Sequence, residues 1–193
     1  MEILGKILGS QARVKIMRLF LLNKTTAFSN KEIVKRSRVN ANTVRTELKL
    51  LNSIGFIKKR STDSVFNHGF KYSRELEALL INTDTINKES ILSTFGKTGK
   101  VKLLLISGIF IKNKDSAVDL LVVGDNLKKG QIEEGVRRLE AEIGAELVYA
   151  VFDTKEFIYR INMYDKLVRD ILDFPHELVL QGKELSTQIL KKA

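Results

Sequence analysis

Cysteine is absent from the 193 residues, which excludes a disulfide framework, a thiolate metal site and a cysteine nucleophile. Histidine occurs only twice, as His68 and His176, too few for a histidine-rich metal centre. Long apolar runs are missing as well. The most apolar early stretch, residues 1–22, is interrupted by Lys6, Arg13, Lys15 and Arg18, so it supplies neither a membrane span nor a signal-peptide core. The expectation is a soluble, cytoplasmic chain with no membrane partner. The remainder is ordinary globular material, 44% hydrophobic and 29% charged, long enough for one or two domains.

Acidic residues are scarce in one part of the chain only. Residues 1–75 hold 16 Lys and Arg against 5 Asp and Glu, a balance of +11, whereas residues 76–193 hold 17 against 18, a balance of −1. A basic module joined to a neutral one is the electrostatic footprint of a nucleic-acid-binding domain with a partner domain.

The basic part has a readable order of elements. Ala12, Ile16, Leu19 and Phe20 form an apolar stripe that predicts a helix over 11–22, ended by Asn23 and the polar stretch after it. Ser29-Asn30-Lys31-Glu32 is a capping box that opens a short second helix running to about Arg36. Asn40 caps a third, in which Val44, Leu48 and Leu51 recur at i, i+4 and i+7. On the opposite face stand Asn42, Arg45, Thr46 and Lys49, side chains of the types that meet base edges and phosphates. Gly55 follows the helix end, and Phe56 to Arg60 reads as a strand carrying three successive cations. Asn67-His68-Gly69 is the expected turn, with Phe70 to Tyr72 the returning strand.

Helix, capped short helix, longer helix and basic hairpin is the order of a winged helix-turn-helix. The run from Val39 to Leu51, followed by Gly55-Phe56-Ile57, resembles the recognition helix and wing start of ArsR-like and MarR-like regulators. It departs from them at Ser37-Arg38-Val39, which lacks the glycine often found in that turn. The resemblance implies binding to double-stranded DNA as a homodimer. The DNA-contacting candidates are Arg38, Asn40, Asn42, Thr43, Arg45, Thr46, Lys49, Lys58, Lys59 and Arg60. Among them Arg38, Arg45, Lys49 and the 58–60 run are the phosphate contacts, and Asn42, Arg45 and Thr46 the base readers. His68 reads as an exposed turn residue, and Phe66 and Tyr72 as packing.

The second part alternates strands and helices, an α/β arrangement on one mixed sheet. Strands are predicted over 101–107, 118–123 and 146–152. An amphipathic helix carries Ile132, Val136, Leu139 and Ile143, and another runs over 157–172, stopped before Pro175. A short helical pattern over 74–80 precedes the connection. The expected domains are 1–82 for the winged helix, 83–98 for a linker with a connecting helix, and 99–193 for the α/β domain.

Within that domain, Gly108-Ile109-Phe110-Ile111-Lys112-Asn113-Lys114-Asp115-Ser116-Ala117-Val118-Asp119, running into Leu120 to Gly124, resembles the signature of the polymerase-beta-like minimal nucleotidyltransferases. That signature implies a Gly-Ser turn for nucleotide phosphates and two strand aspartates for magnesium. Here Gly108, Phe110, Ser116 and Asp119 are kept, while Ile109, Asn113 and Ala117 stand where the family has serine, glycine and the first metal aspartate. Alanine has no oxygen for magnesium, and one carboxylate makes a poor site. The expectation is a regulator with a degenerate nucleotidyltransferase-like domain that dimerises or binds a small-molecule or protein effector. No catalytic residue, metal or cofactor is expected. Gly108, Ser116, Asp119 and Glu146 mark a vestigial nucleotide pocket. Two rivals stay open: an active nucleotidyltransferase with a metal site rebuilt from Asp115, Asp119 and Glu146, and an antitoxin-like partner of a toxic nuclease.

Overall fold

In the computed structural model, which describes residues 3–81, 88–113 and 115–185, the hydroxyl of Ser10 accepts from the backbone N–H of Arg13 at 3.1 Å and starts the first long helix. A short helix α1 (Ile3–Ile7) precedes this α2 (Gln11–Leu22). Then come α3 (Asn30–Ser37), α4 (Ala41–Ser53), the strands β1 (Ile57–Arg60) and β2 (Asp63–Phe66), and α5 (Ser73–Leu80). The second half contributes α6 (Lys88–Phe95), β3 (Lys100–Ile106), a 3₁₀ turn at Gly108–Phe110, β4 (Leu120–Asp125) and α7 (Lys129–Ile143). It closes with β5 (Tyr149–Phe152), α8 (Thr154–Asn162), α9 (Lys166–Asp173) and β6 (Glu177–Gln181).

The chain divides into two compact units. The first comprises Met1–Thr85 with Arg137–Glu146, the second Ile86–Val136 with Leu147–Ala193. Of the connection expected at 83–98, residues 83–87 lie outside the described residues, and 88–95 form α6 with Ile91 and Phe95 buried.

The first unit is built on α2, whose Val14, Ile16, Phe20 and Leu21 are buried with Ile33 of α3, Val44 and Leu51 of α4, and Leu80 of α5. The hairpin closes this core with Phe56, Ile57 and Phe66. Its turn is not where the sequence pattern pointed. Ser61 adopts a left-handed backbone (φ 56°) and β2 returns at once, with Arg60 opposite Asp63 and Ile57 opposite Phe66. A two-residue connection needs that positive φ to match the strand twist. Asn67-His68-Gly69 is a turn after the hairpin: the Asn67 amide donates to the Gly55 carbonyl at 2.7 Å and its oxygen accepts from Gly69 N–H at 3.1 Å. Phe70 is no strand residue but packs edge-on against Phe56, with ring centroids 5.4 Å apart.

The second unit is a mixed four-stranded sheet in the order β5-β4-β3-β6, with β4 and β5 parallel and the other pairs antiparallel. On one face Leu103, Leu105, Leu121 and Val123 pack with Phe157 and Ile161 of α8 and Val168 and Ile171 of α9. Leu104, Leu120 and Val122 are also buried, so both faces of the central strands are covered. The single helix expected over 157–172 is two. Tyr164 turns left-handed (φ 55°), and Asp165 restarts the chain as an N-cap that accepts from Val168 N–H at 3.2 Å. The third predicted strand is shorter than expected, beginning at Tyr149, and β6 adds an edge strand that the sequence pattern had not marked.

Candidate nucleic-acid interface

Helix α4 sets the geometry of the basic surface. Val44, Leu48 and Leu51 are buried, and Asn42, Arg45, Thr46 and Lys49 stand exposed along the opposite face at i, i+3, i+4 and i+7. The one acid in the helix, Glu47, is turned inward and accepts from Arg13 Nε at 2.8 Å. That leaves the outer face without negative charge. Asn40 is the N-cap: its side-chain oxygen accepts from Thr43 N–H at 2.9 Å, which occupies the acceptor at the helix start. Thr46 bonds back to the Asn42 carbonyl at 3.2 Å. Arg38 ends α3 in the left-handed region (φ 56°), at the turn where the sequence lacks a glycine.

Strand β1 presents three successive exposed cations. Lys59 faces the same way as Ile57, and both line an open cleft of about 390 Å³ with Arg45, Leu48 and Lys49 of α4. Lys58, Lys59 and Arg60 all border a second hollow, of about 450 Å³, together with Lys24 and His68. A third, of about 330 Å³, lies between the starts of α3 and α4, lined by Asn30, Lys31, Val34, Ala41 and Arg45. No Asp or Glu lines any of the three.

Pairing separates structural cations from the rest. Arg13 is held by Glu47, Lys15 by Glu142 at 2.6 Å, Lys24 by Glu77 at 2.6 Å and Arg36 by Glu146 at 3.3 Å. Arg45, Lys49, Lys58, Lys59 and Arg60 are all exposed, and none of them has an ion pair among the described residues. Asn30, Lys31 and Lys24, which are not among the residues expected from the sequence to contact DNA, border the same hollows. The two lysines were visible only as charge and Asn30 only as a residue of the capping box, because loop and helix-start residues join α4 and the hairpin through tertiary packing.

In the second candidate set, Gly108 and Asp119 meet. Gly108 takes a left-handed backbone (φ 55°) against Asp119, where any Cβ would collide with the carboxylate. Asp119 Oδ1 accepts from Ile109 N–H and Oδ2 from Val148 N–H, both at 2.8 Å. The carboxylate therefore ties the loop after β3 to the start of β5. Ser116 is half-buried in that loop, Asp115 is exposed, and Lys114 lies outside the described residues. Glu146 precedes β5 by three residues, is highly exposed and pairs with Arg36. Among the described residues no three His, Asp or Glu stand together as metal ligands.

No helix among the described residues is long and apolar enough to cross a membrane. Neither a family model, nor a curated protein, nor a solved structure matches the chain.

Proposed function

We propose that the first unit is a winged helix that binds double-stranded DNA, and that the chain is a transcriptional regulator. In this reading α4 enters the major groove with Asn42, Arg45 and Thr46 toward base edges, while Lys49 and the β1 cations contact phosphates. The single observation that carries it is the set of exposed cations without carboxylate partners, Arg45, Lys49, Lys58, Lys59 and Arg60, around hollows that no acid lines. A surface of that kind holds uncompensated positive charge in place for a polyanion.

One α4 covers only a few base pairs, so a homodimer reading paired half-sites belongs to the same proposal. The α/β unit is assigned to dimerisation or to a small-molecule or protein effector, without catalysis. Its support is the engagement of both Asp119 oxygens by backbone N–H groups and the alanine at position 117.

Titration of a labelled duplex at several salt concentrations tests the reading. Arg45→Ala and Lys59→Ala should each lower the slope of log affinity against log salt by about 0.9. Affinity that ignores both salt and the two substitutions refutes it.

A further inference from the structure

The near-neutral half of the chain conceals a second concentration of positive charge. Gly99 brings two segments of the α/β unit together: a Cβ there would meet the Asn126 carbonyl at 2.7 Å and Leu127 Cα at 2.9 Å. On one side of this close approach lie Lys97 and Lys100, on the other Lys128 and Lys129. Lys128 N–H donates to the Thr98 carbonyl at 2.7 Å, and Lys100 sits opposite Asp125 in the β3–β4 ladder. All four lysines are exposed, and none has an ion pair among the described residues.

The acids at this end of the sheet are already engaged. Asp125 binds Lys102 Nζ at 2.9 Å, and Glu184 binds the same nitrogen at 2.6 Å. The first turn of α7 has no acidic residue and opens on Lys129, so the positive end of the helix adds to the lysines where a carboxylate would ordinarily offset it. Glu133 and Glu134 come one turn later, half-buried and with partners of their own.

We infer that Lys97, Lys100, Lys128 and Lys129 form a second contact surface for the phosphate backbone of duplex DNA, carried by the α/β unit and separate from α4 and the hairpin. Charge complementarity names the occupant. Four compact ammonium groups on long stems, with no arginine fork and no base-reading amide among them, suit a row of phosphates rather than one shaped anion. The surface adds affinity without sequence preference. It stands on its own residues, so it does not require the α4 assignment to hold.

The test uses the full chain with all four lysines changed to Gln, and with all four changed to Arg as the charge-keeping control. Both are titrated against a duplex of about 40 bp over a range of salt, beside the Arg45→Ala, Lys49→Ala, Lys59→Ala chain. The Gln chain should lose affinity at least about tenfold at low salt and lower the salt slope by about 3.6, and the Arg chain should restore both. The α4-hairpin variant should keep a residual binding that disappears when the Gln changes are added. Unchanged slope and affinity in the Gln chain, at an unchanged unfolding midpoint, overturn this surface and leave the α4 reading standing. Loss confined to the Gln chain supports the surface and overturns α4. Lysine-dependent binding to phosphatidylserine vesicles with unaltered duplex binding assigns the patch to a lipid and overturns the inference. Failure of the unaltered chain to bind duplex at low salt overturns both.

Discussion

The buried guanidinium of Arg18 donates through Nε to the carbonyl of Leu80 at 2.9 Å, capping the last residue of α5 from the middle of α2. Its Nη1 donates to the Glu142 carbonyl at 3.1 Å, in the last turn of α7. One side chain thus serves two helix C-termini, whose carbonyls have no partner within their own helices. Beside it, Asn23 Nδ2 bonds the Gly144 carbonyl at 2.9 Å. Residues 137–146 are therefore an integral part of the N-terminal unit. Arg18→Ala should destabilise the protein by about 3 kcal/mol, from lost packing and buried unpaired carbonyls. Urea unfolding measures it, and an unmoved midpoint contradicts the capping role.

Asn40 was grouped with the DNA-contacting residues, yet its oxygen is spent on Thr43 N–H. Asn40→Ala should cost about 1 kcal/mol of stability, whereas Asn40→Asp or Asn40→Ser keeps the cap. Duplex affinity measured beside unfolding midpoints separates the two roles. If Asn40→Asp holds stability but loses affinity by far more than the added negative charge explains, the side chain reads DNA directly.

These residues show what a linear pattern conveys. Helix α4 was legible because its cap, its i, i+4, i+7 apolar stripe and its polar face are all local. The hairpin turn was not, since the run from Thr62 to Phe70 lacks strict alternation and Asn67-His68-Gly69 carries strong turn chemistry of its own. The break at Tyr164 has neither glycine nor proline to announce it. The docking of residues 137–146 onto α2 was out of reach because it depends on Arg18 finding a carbonyl 124 positions away. The same holds for the site: charge located the basic part, while the meeting of Lys59 with Arg45 and Lys49 over one cleft required the tertiary fold.

Asp119 is the clearest discriminator for the α/β unit. Both of its oxygens accept backbone N–H groups, from Ile109 and Val148. An asparagine there keeps one acceptor and turns a donor toward the other N–H. Asp119→Asn should therefore destabilise by about 1–3 kcal/mol. A carboxylate kept for metal binding behaves oppositely, because its replacement leaves stability unchanged or raises it. Thermal unfolding of the full chain decides, and labelled nucleotide incorporation lost on the substitution without any stability change would establish an active transferase instead.

The capping box of α3 gives a pH dependence of known sign. Glu32 Oε2 accepts from the Ser29 hydroxyl at 2.7 Å and from Ser29 N–H at 2.8 Å. The hydroxyl bond above all, then the backbone bond, with Arg36 and Lys35 nearby, hold its carboxyl below the ordinary value of 4.5. A carboxylate depressed in the folded state stabilises the fold fully above its unfolded value, and the contribution drains away as pH falls through the folded one. Glu32→Gln keeps an acceptor in the box but cannot titrate. Across about pH 6 to 3 the unaltered chain should lose stability more steeply than Glu32→Gln, the two profiles keeping a constant separation above pH 4.5 and converging below it. Parallel profiles from urea unfolding at each pH would show that the box acts through geometry alone and that the charge of Glu32 adds nothing to it.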